Sequence, residues 1–177
     1  MNEVLKAIEK RSSTRGYLQE GLTEEEQNLI IKAGLQAPTA NNRREIHISV
    51  VEGNNPVLAE LDEEKNRLRG IGIQPHNFYY EAPVVFFISA ESAFGWNSLD
   101  AGIAVENMAL AAESLGLGSL IIGCIKDAML GEKGAYFAQK LQIPEGWEYK
   151  IALAAGHKAM GKMPHEIDME KAVSFIK

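Results

Sequence analysis

The amino-acid sequence predicts a layered α/β body, in which helices cover both faces of a sheet. Residues 83–88 (Pro-Val-Val-Phe-Phe-Ile) are apolar on both faces, as expected for a central strand with helices on each side. Residues 97–115 form the longest helical pattern, rich in Ala with little polar surface, and predict a core helix. The 177 residues, 46% hydrophobic and 24% charged, have the balance of one globular domain over residues 1–177.

Two helices are predicted before the first strand. Apolar residues recur with helical spacing over residues 4–8, and the two cations that follow suit the C-terminus of a helix. Thr23 and Glu26 form a capping box that begins the second helix, which Pro38 brings to an end.

The remaining elements follow from apolar runs and helical periods. The predicted strands are residues 46–51, 83–88, 119–125 and 149–155, and the further predicted helices are residues 58–69, 97–115 and 133–141. Residues 58–69 predict a charged, mostly solvated helix that ends at Gly70. Residues 71–80 show no clear period and predict a loop.

Charge and cysteine content restrict the class of protein. A net charge of −6 opposes a general role on nucleic acid or anionic membranes, so clustered cations are expected to serve one small anion. Cys124 is the only cysteine, which excludes an internal disulfide and favours a reducing, cytoplasmic location. The N-terminal residues do not resemble a signal peptide, and no apolar run is long enough to span a bilayer.

Residues 11–17 (Arg-Ser-Ser-Thr-Arg-Gly-Tyr) directly follow the first predicted helix. Two guanidiniums and three hydroxyls within five residues favour an anion cradle, because Arg binds phosphate bidentately and Ser or Thr adds neutral donors. A helix end with a basic turn is the alternative interpretation of the same residues.

Together with three later motifs, this cluster resembles the FMN-dependent nitroreductase family over nearly the whole chain. The four motifs are Arg11-Ser12-Ser13-Thr14-Arg15, Ala37-Pro38-Thr39-Ala40-Asn41-Asn42, residues 111–119 with Ile122-Gly123-Cys124, and Gly156-His157-Lys158. The resemblance implies an α+β three-layer sandwich, with a central, mostly antiparallel sheet and helices on both faces. It also implies an intertwined homodimer that binds two FMN molecules at the subunit interface.

The resemblance assigns cofactor-binding roles to two segments. Arg11 and Ser13, with Ser12 between them, match the ligands of the FMN phosphate, and Arg15 matches a cation near the ribityl chain and the pyrimidine edge of the flavin. The family also has a turn that reaches FMN from the partner subunit, and this turn is matched by Pro38, Thr39 and Asn42. Its alternative interpretation is a helix stopped by proline and followed by an Asn-rich loop.

Ile122, Gly123 and Cys124 match the place where a backbone N–H meets flavin N5. Cys124 departs from the glycine often found there, and its thiol also fits a small buried apolar group whose pKa is raised by its surroundings. No side chain is predicted to be catalytic, because the flavin itself carries the hydride.

Other positions are less well defined by the resemblance. Lys158 and Lys162 lie where the family places a basic residue on the FMN phosphate; we favour Lys162, and a solvated lysine in the tail is the alternative. A contact with the flavin's pyrimidine end is considered for Asn66, Arg67 and Arg69, but a solvated helix face is the preferred interpretation. Residues 43–46 (Arg-Arg-Glu-Ile) replace the family's frequent Gln-Pro-Trp, and the four scattered histidines predict no metal site.

The resemblance implies an NAD(P)H-dependent FMN oxidoreductase. It predicts hydride transfer from NADH or NADPH through flavin N5 to a nitroaromatic, quinone or similar small electrophile by a ping-pong mechanism. An FMN carrier or redox sensor without nicotinamide turnover is the alternative. A specialised relative that consumes flavin itself, or reduces an enone or iodinated phenol, is a third possibility.

Overall fold

A computed structural model describes residues 1–163 and 166–176, and within these residues the chain forms four β-strands and seven α-helices. The strands are β1 (Ile46–Glu52), β2 (Val84–Glu91), β3 (Gly118–Ile122) and β4 (Trp147–Gly156). The helices are α1 (Glu3–Lys10), α2 (Glu24–Leu35), α3 (Pro56–Arg69), α4 (Asn97–Ser114), α5 (Lys126–Leu130), α6 (Gly134–Lys140) and α7 (Met169–Ala172). In the part of the chain described, no helix has both the length and the apolar character needed to cross a membrane.

The strands form one sheet in the order β1-β2-β4-β3, and every neighbouring pair is antiparallel. Strand β2 lies inside the sheet and is buried at every residue except Glu91. The predicted central strand and the predicted antiparallel sheet are therefore confirmed.

Helices cover both faces of this sheet, which makes two hydrophobic cores. Val85 and Phe87 of β2 face a core that includes side chains of α3, α5 and α6. Phe86 and Ile88, which alternate with them, face the core formed with α2 and α4. Because successive side chains of a strand point to opposite faces, a strand between two helical layers must be apolar throughout.

Helix α3 differs from its prediction as a mostly solvated helix. It begins at Pro56, and it buries two charged side chains, Glu64 and Lys65. Glu64 contacts Arg67 and Lys133, and hydrogen bonds from these two cations lower the pKa of its carboxyl to about 2. Pairing of this kind allows a charged residue to lie in a buried position that its type alone would not predict.

The predicted third strand is also too long. Strand β3 ends at Ile122, residues 123–125 turn away from the sheet, and the unpredicted helix α5 follows. A short apolar run does not distinguish strand from turn or helix, which is why the sequence pattern extended the strand to residue 125.

Helix ends match their local sequence signals. At the start of α2, the Thr23 hydroxyl accepts a hydrogen bond from the Glu26 N–H at 3.2 Å, and the Thr23 N–H donates to the Glu26 carboxylate at 2.8 Å. Helix α1 forms as predicted, but its apolar side chains Val4 and Ile8 are 64% and 52% exposed. An apolar stripe of α1 therefore lies on the surface of the folded chain.

Candidate functional site

The segment after α1 lies against the outer edge of β3. Ser13 pairs with Ser119 in a parallel bridge, and the buried Thr14 donates its N–H to the Ser119 carbonyl at 2.9 Å. Gly118 makes this approach possible, because a Cβ atom there would lie 2.6 Å from Thr14 Oγ1. Arg11 and Ser12, like Ser13, are half-buried along the same segment.

Lys158 reaches the same place from the segment that follows β4. Tyr17 and Lys158 form an antiparallel bridge, and the Ala159 N–H donates to the Gly16 carbonyl at 3.0 Å. Lys158 Cγ would lie 2.9 Å from a Cβ at Gly118. Lys162, four residues further on, lies in exposed coil.

Arg11 and Lys158, which we call the cation cluster, each pair with a carboxylate of α4. Arg11 Nε lies 3.4 Å from Glu106 Oε1, and Lys158 Nζ lies 2.7 Å from Glu113 Oε2. Their spacing of seven residues puts both glutamates on one face of the helix. Each ion pair leaves further N–H donors on the cation, so the cations and the serine hydroxyls fit an anionic phosphoryl group.

Arg15 lies apart from these ion pairs. Its side chain is exposed, and its guanidinium carbon is 5.8 Å from the centre of the Tyr80 ring. Among the described residues it forms no ion pair. Sequence reasoning missed Tyr80, because residues 71–80 carry no periodic pattern and only the fold brings this ring to Arg15.

The turn after β3 is held by hydrogen bonds to three consecutive carbonyl groups. The Tyr149 hydroxyl donates to the Ile122 carbonyl at 2.8 Å, and the Lys126 N–H donates to the Gly123 carbonyl at 3.2 Å. Arg69 Nη2 donates to the Cys124 carbonyl at 3.1 Å. Sequence reasoning missed the role of Tyr149, and it did not predict the contact that Arg69 makes here.

Gly123 itself is exposed, and a Cβ there would meet only Ile151 Cδ1, at 3.7 Å. Burial raises the pKa of the neighbouring Cys124 thiol, and Lys65 and Arg69 oppose this increase. The expected rise in this pKa is confirmed, which leaves the thiol protonated at neutral pH. The open space beside Gly123 is compatible with the close approach of a flat ring.

Strand β3 separates the two parts of the site. Gly118 and Ile122 are its first and last residues, and four residue steps correspond to about 13 Å. The cation cluster lies at the start of β3, and the Gly123 turn lies at its end. An extended ligand with an anionic group at one end and a flat ring at the other fits this arrangement.

Pro38, Thr39 and Asn42 lie elsewhere in the structure. The N–H of Ala40, in the middle of this turn, donates to Asp100 Oδ2 at 3.0 Å. Asp100 is in the first turn of α4, whereas Glu113, which holds Lys158, is 13 residues further along the helix, or about 20 Å. Along α4 the turn is therefore far from Lys158, and it is nearer to Arg11, whose partner Glu106 is six residues from Asp100, or about 9 Å.

The turn itself has an unusual backbone. Asn41, Asn42 and Arg44 have φ values of 57°, 53° and 57°, and the Arg44 N–H donates to Thr39 Oγ1 at 2.9 Å. Below it, the buried Glu45 lies beside the buried Asp100; burial and this second carboxyl raise the pKa of Glu45. Residues 43–46, where the chain departs from the family pattern, thus place a carboxyl under the turn.

The other candidate residues are dispersed. Asn66 Nδ2 donates to Asp62 Oδ2 at 3.1 Å, and Arg67 binds Glu64, so both pair within α3. His47 packs edge-on against Trp147, and His76 lies 3.1 Å from the Glu81 carboxylate. His165 lies outside the described residues.

Comparison with known proteins agrees with this fold. The sequence profile of the nitroreductase family matches residues 8–157, and the chain belongs to that family. It is similar to a nitroreductase with bound FMN from Desulfitobacterium hafniense DCB-2, with a TM-score of 0.89, 28% identity and 100% of each chain covered. A nitroreductase with bound FMN from Bacteroides fragilis NCTC 9343 gives a TM-score of 0.88, again with 28% identity and 100% of each chain covered.

The chain is also similar to FMN reductase [NAD(P)H] from Bacillus subtilis (strain 168). It is 30% identical over 148 residues, which cover 71% of this chain and 56% of the relative. The chain thus spans little more than half the length of that enzyme.

Proposed function

We propose that the protein is an FMN-dependent oxidoreductase that takes electrons from NADH or NADPH and passes them to a small electrophile, such as a nitroaromatic or a quinone. The observation that carries this proposal is the placement of the Arg11 and Lys158 cluster and the Gly123 turn at opposite ends of β3. The family match and the FMN-bound structures of similar fold support the choice of cofactor.

The chain's own residues supply binding and charge. Arg11, Ser12, Ser13 and Lys158 would hold the phosphoryl group, because they gather cations and hydroxyl donors in a chain whose net charge is −6. Arg15 adds a cation that would stabilise negative charge on the ring system. Bound FMN would supply the two-electron chemistry, so no side chain has to act as a nucleophile.

We further propose a homodimer in which each site uses two chains. The 38–42 turn and Lys158 contact opposite ends of α4, about 20 Å apart along the helix, which supports a site that takes the turn from a second chain. The exposed apolar stripe of α1 provides a surface that a second copy would cover. In this arrangement the turn of one subunit completes its partner's site.

A second candidate acceptor is free flavin, because one similar enzyme is named an FMN reductase. The same bound cofactor would serve either acceptor. The single cysteine, Cys124, favours a cytoplasmic location.

The first experiment is the anaerobic visible spectrum of the purified protein before and after addition of NADH or NADPH. Bound-flavin bands that bleach, and that return with a nitroaromatic, a quinone or free FMN, support the oxidoreductase. Flavin that binds without bleaching supports a carrier or sensor instead. Failure to bind FMN after reconstitution would overturn the proposal.

The shared site has its own test in subunit mixing. Arg11→Ala and Asn42→Ala homodimers each carry two damaged sites, whereas a mixed dimer carries one intact site and one doubly damaged site. About a quarter of the sites should therefore recover after the two variants are unfolded together and refolded, because half of the dimers are mixed under random pairing. No recovery beyond the average of the two variants refolded separately would refute a site shared between subunits.

A further inference from the structure

The edge of β3 that faces the Arg11–Arg15 segment is defined by one hydrogen bond. The Ser119 carbonyl accepts from the Thr14 N–H on that outer edge, while β4 lies on the other side of the strand. Backbone polar groups of a strand alternate between its two edges with a period of two residues. Ile122, the last residue of β3, is three residues after Ser119, so its carbonyl belongs to the inner edge, and the N–H of the next residue, Gly123, belongs to the outer edge.

The N–H group of Gly123 has no hydrogen-bond partner among the described residues. In contrast, the three carbonyls of this turn all accept hydrogen bonds. One backbone donor, on the exposed Gly123, is therefore available in a turn whose carbonyl groups all accept hydrogen bonds.

Because the peptide group is planar, the direction of the Ile122 carbonyl sets the direction of the Gly123 N–H. In a trans peptide the C=O of one residue and the N–H of the next point in opposite directions within one plane. The Tyr149 hydroxyl is buried, and it draws the Ile122 carbonyl inward at 2.8 Å. The N–H of Gly123 is consequently directed away from the core.

We propose that Tyr149 is a positioning residue, whose hydroxyl orients the Ile122–Gly123 peptide so that the Gly123 N–H points into the cofactor site. The inference rests on the proposed function for the identity of the acceptor, which is the ring of the bound FMN. Arg69, the last residue of α3, holds the Cys124–Ile125 peptide through the Cys124 carbonyl and so supports the same turn. Neither side chain touches the cofactor in this role.

Burial also keeps Tyr149 suited to this role. Removal from water raises the pKa of its hydroxyl, and the nearby Cys124 raises it further, so the group remains a donor throughout the physiological range.

Tyr149→Phe removes the hydroxyl and keeps the ring, and the chain offers a matched control in Tyr79→Phe. The Tyr79 hydroxyl donates to the Gly53 carbonyl at 3.0 Å, and Tyr79 belongs to the same hydrophobic core as Tyr149. Both substitutions remove one hydroxyl-to-carbonyl bond from this core, but only Tyr149 is bonded to the turn after β3.

Three measurements separate the two variants. In the ¹⁵N-labelled protein without FMN, the Gly123 amide resonance should move in Tyr149→Phe and stay in place in Tyr79→Phe. The FMN dissociation constant should rise about three- to tenfold in Tyr149→Phe alone, as expected for one misaligned hydrogen bond. The FMN midpoint potential should shift in the same variant, because a hydrogen bond to the ring tunes its redox balance.

The outcomes distinguish this inference from the proposed function. An unmoved Gly123 resonance, or equal effects of the two variants on FMN affinity and potential, would overturn the positioning role even if the protein is an FMN oxidoreductase. A moved resonance with no FMN binding by the native protein would instead overturn the proposed function, and with it the assignment of the acceptor.

Discussion

Replacement of Gly118 by Ala tests the contact that assembles the cation cluster. The new Cβ would lie 2.6 Å from Thr14 Oγ1, 2.8 Å from Thr14 Cγ2 and 2.9 Å from Lys158 Cγ. Thr14 is 4% exposed, and its N–H is bonded to Ser119, so it cannot move without loss of that hydrogen bond. The overlap is therefore expected to displace the whole segment from β3.

Overpacking of a buried site lowers the free energy of unfolding by about 1–3 kcal/mol. With a urea m-value of about 2 kcal/mol/M, the unfolding midpoint of Gly118→Ala should fall by about 0.5–1.5 M. FMN affinity should fall too, because Lys158 and the Arg11–Ser13 segment both move. Urea unfolding followed by circular dichroism, together with an FMN fluorescence titration, measures the two effects.

The matched control is Gly21→Ala, where a Cβ would have no neighbour within 4 Å. It should leave both the midpoint and the FMN affinity close to those of the native protein. A Gly118→Ala variant that behaves like this control would refute the close packing of Thr14 and Lys158 against Gly118.

Three further predictions concern charged groups. Arg11→Ala should weaken FMN binding by about 1.5–3 kcal/mol, less at high salt, because a charge-assisted hydrogen bond to phosphate is lost; unchanged affinity in the titration would contradict its role as a phosphate ligand. Glu45 has a raised pKa, so its contribution to stability falls as the pH rises above 4.5, its value in the unfolded chain. The free energy of unfolding of Glu45→Gln minus that of the native protein should therefore be larger at pH 8 than at pH 4. A difference in urea midpoint that does not change with pH would argue against a buried carboxyl pair. Glu64 has a pKa lowered to about 2, so it stabilises the fold above pH 4.5, and this contribution is lost as the pH falls from 4.5 towards 2. The difference in unfolding free energy between the native protein and Glu64→Gln should shrink over that interval, and a constant difference would mean that the ion pairs with Arg67 and Lys133 do not stabilise the protein.

Hydrophobic patterning and local motifs determined most of the secondary structure. The doubly apolar run at residues 83–88 required a strand covered on both faces, and the structure places β2 between two helical layers. The Thr23 and Glu26 pair began α2 at the predicted residue, because a capping box acts within one turn. The motif order also identified the family, and residues 8–157 match its profile.

Only the tertiary structure decided which of these segments meet. It placed Lys158 beside Gly118 and the Pro38–Asn42 turn at the far end of α4, a separation that no local pattern encodes. It also ended β3 at Ile122 and brought the Tyr149 hydroxyl to that carbonyl across 27 residues. Periodicity reports which face of an element is buried, whereas contacts between distant segments depend on how the elements pack, and the sequence alone does not specify that packing by any short-range signal.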